Sequence, residues 1–113
     1  MFRNAARAMF DIIAGEKEKA RKKEKVPIEQ KADDLEELFL NWLNELLFLS
    51  LTKKLIFSDF KINKLEQNSL SAYALGKDIK HYKMDTEIKA ATYHELKIEK
   101  AADGWKAKVI FDV

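Results

Sequence analysis

The stretch that decides the fold is the last quarter of the chain, where residues 86–113 read TEIKAATYHELKIEK, AADG and WKAKVIFDV. Polar and apolar residues alternate in the first and third segments, and Asp103-Gly104 between them is typical of a β-hairpin turn. Successive side chains of a strand point to opposite faces, so the alternation also predicts which of them face the core. The predicted core rows are Ile88, Ala90, Thr92, His94, Leu96 and Ile98 in the first strand and Trp105, Ala107, Val109 and Phe111 in the second.

Charged groups gather on the other face of this predicted hairpin. Asp112 lies there beside the C-terminal Val113, and the first strand adds Glu87, Lys89 and Tyr93. Exposed charges on paired strands commonly form an ion-pair ladder. An aspartate beside a terminal carboxylate also provides the oxygen ligands that Ca²⁺ and Mg²⁺ prefer, although two groups do not make a strong site. The residues favour the ladder and leave the metal site as the alternative.

Length and composition limit the class of protein. With 113 residues the chain has room for one domain. It contains no cysteine, which excludes disulfides and thiolate metal sites, and its 21 basic and 19 acidic residues leave a net charge of only +2. No apolar run approaches the roughly 20 residues of a membrane span, and charges interrupt Phe2–Ala14 where a signal peptide would be apolar. We therefore expect a cytoplasmic protein that does not contact membranes.

Two helices are predicted. Apolar residues recur at three- and four-residue spacing over Met1–Ala14, and Gly15 follows where a helix commonly ends. Asp33–Ser50 is the stronger helix, with Asp33 as the cap and Glu36 completing a capping box. Its broad apolar stripe, which includes Phe39 and Trp42, predicts burial on more than one side.

The remaining segments are predicted to be strands and loops. Val26–Lys31 contains Pro27 and is expected at a sheet edge. Leu55–Glu66 and Leu70–Leu75 are expected to be strands joined by a turn at 67–69, whereas Glu16–Lys25 and Gly76–Met84 are expected to be solvated connections. This order predicts an α+β fold, a single domain with two helices packed on a largely antiparallel β-sheet.

Enzyme motifs are missing from the sequence. There is no glycine-rich phosphate loop, no His-Glu-x-x-His and no Gly-x-Ser-x-Gly. The two histidines, His81 and His94, have no local ligand partner, and the inward parity of His94 favours a core histidine over a catalytic base. A small metal-dependent hydrolase is remote, because no second carboxylate cluster and no base accompany Asp112.

Several segments together resemble the archease family. They are DLEEL at 34–38, NWLNELL at 41–47, TEIKA at 86–90, TYH at 92–94 and VIFDV at 109–113. The segments come in the family's order and cover nearly the whole chain, so residues 1–113 are expected to form one archease-like domain. The WLNEL and KAxTYH strings are the specific ones.

The resemblance implies an accessory protein and not an enzyme. Archeases assist the tRNA-splicing RNA ligase, promoting its guanylylation with GTP and a divalent metal and giving it multiple turnover. The family's metal site includes the penultimate aspartate and the terminal residue, which match Asp112 and Val113 here. The metal would be Ca²⁺, Mn²⁺ or Mg²⁺. Residues of the matched segments, namely Glu87, Lys89, Tyr93 and His94, would form the face that meets the ligase, with tRNA contacted only indirectly.

One departure from the family shapes the expectations. Archeases begin with a strand bearing a His-Thr-Ala-Asp motif and a further strand, whereas this sequence opens at the helix, at Met1-Phe2-Arg3-Asn4. Relative to the family it is expected to lack that aspartate, so metal binding by this chain is expected to be weak. An open sheet edge would also permit association between copies. The alternative function is that of a general chaperone or modulator of RNA-modifying enzymes, acting through exposed apolar surface or the basic run at 17–25.

Overall fold

Two helices and seven strands make up the described part of the chain. The computed structural model describes residues 1–16, 24–78, 82–84, 88–101 and 104–112. In chain order the elements are α1 (Phe2–Ile13), β1 (Ala14–Glu16), β2 (Glu24–Lys31), α2 (Leu35–Lys53), β3 (Leu55–Leu65), β4 (Ser69–Asp78), β5 (Tyr82–Met84), β6 (Ala90–Ala101) and β7 (Gly104–Asp112). None of the helices in these ranges is long and apolar enough to cross a membrane.

The strands pair into three small sheets. β2, β4 and β3 form the largest in that order, β6 pairs with β7, and β1 pairs with β5. Every pairing among the described strands is antiparallel. The predicted α+β class with two helices on antiparallel sheet is therefore confirmed, with the pairing divided among three sheets.

Helix α1 is amphipathic as predicted. Its buried residues are Phe2, Ala6, Met9, Phe10 and Ile13, which recur every three or four positions and so form one stripe. The helix ends at Ile13. The sequence predicted Gly15 as the residue that ends the helix, but Gly15 lies in β1 opposite Lys83.

Helix α2 begins one residue later than predicted. Asp34, in extended conformation, is the N-cap, and its side chain accepts a hydrogen bond of 2.8 Å from the Glu37 N–H. Asp33 was therefore the wrong cap, although both aspartates fit the sequence pattern. The last helical residue is Lys53. Its C-cap Lys54 has a left-handed backbone (φ 55°), and the Lys54 N–H donates to the Ser50 carbonyl.

The core lies between the helices and one face of the three-stranded sheet. Trp42 is fully buried, as predicted, and packs edge-on against Phe60 of β3 with ring centroids 6.0 Å apart. Its Nε1 donates a 2.9 Å hydrogen bond to the Phe2 carbonyl of α1. Phe2 in turn meets Phe39 edge-on at 5.1 Å. These contacts bind α1, α2 and β3 together. Helix α2 also packs against β6, so it lies between the three-stranded sheet and the C-terminal hairpin.

The strand predictions are mostly confirmed. β2 is an edge strand, which suits Pro27 because that residue has no N–H to donate. In the turn after β3, the Glu66 N–H donates a 2.9 Å hydrogen bond to the Ser69 carbonyl. The expected loop at Gly76–Met84 is wrong in part, because β4 continues to Asp78 and β5 covers Tyr82–Met84. Glu16 and Glu24, both in the expected loop Glu16–Lys25, instead end β1 and begin β2. Residues 17–23 of that loop lie outside the described ranges, as does His81.

Candidate functional site

The candidate site lies at the open end of the β6–β7 hairpin. At that end Ala90 is the register partner of Asp112, followed by Ala91 with Phe111 and Thr92 with Ile110. The Thr92 hydroxyl reaches the Ile110 carbonyl at 3.4 Å across the pair. The predicted hairpin is therefore confirmed, and it brings the end of the chain beside the start of β6.

A bulge in β6 changes which residues face the core. Between the pairs Thr92–Ile110 and Lys97–Lys108, β6 contributes four residues and β7 only one. The surplus of three residues reverses the alternation on either side of the bulge. Consequently Ala91, predicted to face outward, is buried, while Lys97 and Glu99 are exposed as predicted. Steady alternation along the whole of β6 was the wrong expectation.

Asn44 of α2 holds β6 next to the candidate site. Its Nδ2 donates to the Ala91 carbonyl at 3.1 Å, and its Oδ1 accepts from the Ala91 N–H at 2.8 Å. Both groups of one side-chain amide are therefore satisfied by one residue's backbone. Since Ala91 follows Ala90, the register partner of Asp112, this contact positions the end of β7 relative to the helix.

Asn44 was missed as a functional residue by sequence reasoning. It lies in the NWLNELL segment, where the apolar stripe drew attention to Trp42 and Leu46. Residue type does not set Asn44 apart from Asn41 of the same helix. Its half-buried position, which calls for hydrogen-bond partners, is visible only in the structure.

Trp105 is not in the core, contrary to prediction. Its side chain is 53% exposed at the start of β7, whereas Ala107, Val109 and Phe111 of the same predicted row are half-buried against the core. Trp105 lines a groove of about 540 Å³ together with Met1, Phe2, Leu35, Ile62 and Leu65, among others. The row therefore leaves the core towards its turn end, and an apolar groove opens there.

The predicted site residues are described to different extents. Lys89 is exposed immediately before β6, and it follows the buried Ile88. Tyr93 and His94 lie within β6, and Asp112 ends β7, but their side chains are outside the described part of the structure. Glu87 and Val113 fall outside it altogether. The assignments of metal ligands and ligase-facing residues therefore stay predictions.

Asp112 and Val113 provide the right type of ligand for a hard cation but too few ligand atoms to complete its coordination. Asp112 and the Val113 carboxylate offer oxygen atoms, which Ca²⁺ and Mg²⁺ prefer. Two carboxylates provide at most four oxygens, whereas Ca²⁺ takes six to eight. Within the described ranges no group of three or more acidic, histidine or cysteine side chains is arranged to hold a metal. We therefore expect these two groups alone to bind a cation weakly.

A described ion pair of the hairpin lies along β6 and not across the two strands. Lys97 Nζ lies 3.6 Å from Glu99 Oε1, and both side chains are well exposed. Glu99 is also the register partner of Lys106 on β7. Exposed pairs of this kind contribute little to stability. This pair lies towards the turn end of the hairpin, so a cross-strand ladder at the end that carries Asp112 stays a prediction.

Comparison with known proteins identifies the family. The sequence profile of the Archease protein family (MTH1598/TM1083) matches residues 1–113. The chain is 42% identical to "Protein archease" of Methanosarcina barkeri over 123 aligned positions, covering all of this chain and 81% of that protein. It is 38% identical to that of Pyrococcus furiosus over 119 positions, covering 99% and 82%.

A solved structure agrees with the sequence relatives. It is an archease of Thermotoga maritima, described as a possible chaperone, and it superposes with a TM-score of 0.62 at 26% identity. The match covers 97% of this chain and 79% of that one. With the profile covering the whole sequence, the chain belongs to the archease family.

Proposed function

We propose that the protein activates a GTP- and metal-dependent RNA ligase of tRNA splicing, promoting guanylylation of the ligase and its multiple turnover. The observation that carries the proposal is membership of the archease family over residues 1–113. The protein acts as an accessory factor in the cytoplasm, and the ligase carries out the covalent chemistry. Contact with tRNA in this role is indirect, through the ligase.

Asp112 and the Val113 carboxylate are the proposed cation ligands. They would hold a divalent cation, which would supply positive charge to neutralise the phosphates of the partner's nucleotide. What this chain contributes is position, because Asn44 fixes the register of Ala91 and so the backbone beside Asp112. The exposed Lys89 lies immediately before β6, at the same end of the hairpin. Glu87, Tyr93 and His94 of the matched segments are proposed with it as ligase-facing residues.

Multiple-turnover RNA ligation tests the proposal. The cognate ligase is assayed with GTP and Mn²⁺, with and without the protein, and with an Asp112→Ala variant. The wild type should raise turnover and the variant should not, whereas Asp11→Ala, which removes an exposed carboxylate of α1, should act like the wild type. No stimulation by the wild-type protein would contradict the activating role. Equal stimulation by Asp112→Ala would exclude the C-terminal carboxylates from it.

Metal binding by the isolated chain is tested separately. Because two carboxylates are too few for a complete coordination sphere, calorimetric titration with Ca²⁺ or Mn²⁺ should show weak binding that Asp112→Ala removes. Tight one-to-one binding by the isolated protein would contradict this expectation. Adding the ligase should then raise the affinity, since the partner can supply the remaining ligands.

A second candidate function is that of a chaperone or modulator of RNA-modifying enzymes. It is favoured by the apolar groove beside Trp105 and by Phe48 and Leu51 of α2, which are 59% and 66% exposed. Trp105→Ser should then abolish suppression of a client enzyme's aggregation, while Asp112→Ala should retain it. Equal suppression by Trp105→Ser and the wild type, or no suppression by the wild type, would contradict this second function.

Association between copies through a sheet edge also stays a prediction. β2 and β3 are the edge strands of the three-stranded sheet, and each has one side without a strand partner in the described structure. Light scattering over a range of protein concentrations measures it directly. A stable monomer at high concentration would contradict it.

A further inference from the structure

The three-stranded sheet has one face that is turned away from the helices. Alternate residues such as Val26, Ala74 and Phe60 are buried beneath α1 and α2. The residues between them form the opposite surface, here named the open face. It consists of Lys25, Pro27, Glu29 and Lys31 on β2, Ser69, Ser71, Tyr73 and Leu75 on β4, and Asp59, Lys61 and Lys64 on β3. All eleven side chains are half-buried or exposed.

Tyr73 lies at the centre of the open face, flanked by lysines. In register it stands between Pro27 of β2 and Lys61 of β3. The Lys25 ammonium lies over the ring, 4.1 Å from its centroid, and the Lys61 ammonium lies 6.0 Å away. An aromatic ring in the middle of a sheet, with cations beside it, offers both a stacking surface and charge for an anionic ligand.

Two shallow depressions lie along β4 on either side of this centre. One, of about 550 Å³, is lined by Tyr73 and Leu75 together with Lys61, Arg3 and the carboxylate of Asp59. The other, of about 380 Å³, is lined by Ser69, Ser71, Lys31, Lys64 and the carboxylate of Glu29. The first combines an aromatic surface with cations, and the second combines hydroxyl and ammonium donors, the groups that contact phosphate oxygens in nucleic-acid complexes.

The charge of the open face is positive. Four lysines, Lys25, Lys31, Lys61 and Lys64, stand against the two carboxylates Glu29 and Asp59. Arg7 Nη2 lies 3.7 Å from Asp59 Oδ1 and so offsets part of that negative charge. Lys64 Nζ also lies 3.0 Å from Glu66 Oε1. Solvent screens this exposed pair, so a phosphate can replace Glu66 as the partner of Lys64.

We propose that the open face binds single-stranded nucleic acid. A base stacks on Tyr73, and the neighbouring phosphates run along β4 towards Ser71, Lys64 and Lys31. Lys25 leaves the ring as the base enters, at small cost because an exposed cation–π contact is weak, and moves to a phosphate. Helix α2 contacts both this sheet and β6, so this surface and the Asp112 end of the hairpin lie on different sides of the protein, and the inference does not depend on the ligase role.

A single strand fits these groups better than a duplex or an acidic protein. Stacking on Tyr73 requires an unpaired base whose face is free, which single strands offer and duplexes do not. An acidic protein would use the lysines but would leave the ring without a matching flat partner. A single strand should therefore depend on the Tyr73 ring as well as on the lysines, whereas an acidic protein should depend on the lysines alone.

Fluorescence anisotropy with labelled 12-nucleotide RNA and DNA of the same sequence tests the proposal at low salt. The wild-type protein should bind the RNA, and Tyr73→Thr, which keeps β-propensity, should weaken binding about tenfold, whereas Tyr73→Phe should bind like the wild type. Binding of the DNA at similar affinity assigns the site to single strands in general, and weaker binding assigns it to RNA. Trp105→Ala provides the matched control for loss of an exposed aromatic side chain.

Charge variants test the phosphate contacts. Lys31→Ala/Lys64→Ala should make the slope of log K against log salt shallower by about 1.4, since each phosphate contact to a single strand contributes about 0.7. Lys53→Ala/Lys106→Ala, which removes the same charge from exposed positions elsewhere, should leave the slope unchanged. Glu29→Gln removes the negative charge next to the second depression and should tighten binding about twofold.

A crosslinking measurement keeps the test independent of variant folding. Ultraviolet irradiation of the wild-type protein with bromouridine-containing RNA should attach the RNA to a peptide that contains Tyr73. Three results would overturn the proposal: no binding of either oligonucleotide at low salt, equal binding by Tyr73→Thr, or crosslinks confined to other segments. Displacement of the RNA by polyglutamate at equal charge concentration would show a general polyanion surface and would likewise overturn it.

Discussion

The side-chain amide of Asn44 is hydrogen-bonded to Ala91 in both directions, with Nδ2 to the carbonyl at 3.1 Å and Oδ1 from the N–H at 2.8 Å. Ala91 is paired with Phe111 of β7, and in the described structure β6 has no other strand beside it. Helix α2 thus provides, through one amide, the two hydrogen bonds that a neighbouring strand would give. The hairpin is tied to the helix at the end that carries Asp112.

Replacing this amide should loosen the hairpin. Asn44→Asp keeps an acceptor for the Ala91 N–H but places a carboxylate against the Ala91 carbonyl, so the free energy of unfolding should fall by about 1–3 kcal/mol. Urea denaturation followed by circular dichroism measures the loss. Asn63→Asp makes the same change at an exposed position of β3 and should have little effect. Equal stability of the two variants would contradict the role of Asn44.

The two tryptophans should differ sharply in their contribution to stability. Trp42 is fully buried and hydrogen-bonded to Phe2, so Trp42→Ala should cost about 3–5 kcal/mol. Trp105 is half exposed, and Trp105→Ala should cost less than about 1 kcal/mol. Thermal and urea denaturation followed in the far ultraviolet compare them without relying on tryptophan fluorescence. Similar losses for both variants would place Trp105 in the core after all.

The N-terminal cap of α2 can be located by a pair of alanine variants. Asp34→Ala removes the acceptor of the Glu37 N–H and should lower the free energy of unfolding by about 1 kcal/mol. Asp33→Ala, one residue earlier, should change it by only a few tenths of a kcal/mol. The midpoint of urea denaturation distinguishes the two, and a larger effect at Asp33 would reverse the assignment.

Two glycines should resist substitution for different reasons. A Cβ at Gly76 would lie 2.8 Å from Phe57 Cδ1 and 3.1 Å from the Ile56 carbonyl, so Gly76→Ala should cost about 1–3 kcal/mol through overpacking. At Gly104 a Cβ would meet nothing within 4 Å, but φ is +132°, so Gly104→Ala should cost about 1 kcal/mol through the backbone alone.

A second substitution separates the two causes. Phe57→Leu shortens the side chain that the new methyl group would strike, so it should reduce the added cost of Gly76→Ala in a double-mutant cycle. The same change should not alter the cost of Gly104→Ala, because Gly104 has no neighbour there. Additive effects at Gly76 would contradict the steric explanation.

The helices and the larger strands were predictable because their patterns are long. The apolar period of α1 and the broad apolar stripe of α2 cover many residues, so the structure shifts their ends by one to three positions only. The cap at Asp34 was ambiguous, because two adjacent aspartates both precede the stripe. Choosing between them depends on backbone geometry that residue types do not encode.

Short or irregular features were not predictable. β1 and β5 have three residues each, too few for a period-two pattern, so their pairing could not be inferred from the sequence. The reversal of alternation at Ala91 depends on a bulge, and β6 contains no glycine that would have marked the bulge in the sequence. At the candidate site, Asp112 and Val113 were assigned by resemblance, whereas Asn44 became visible only through its contact with Ala91.

The bulge in β6 also decides how the hairpin tolerates changes in length. It divides the ladder into two blocks, residues 90–92 with 110–112 and residues 97–101 with 104–108. The first block is aligned by the helix through Asn44, and the second by the short connection between Ala101 and its register partner Gly104. Residues 93–96 join two separately aligned blocks, so one residue inserted there can be absorbed locally while the last strand keeps its place against the helix. The same insertion within 90–92 would shift the backbone at Ala91 past Asn44 and displace the end of the chain.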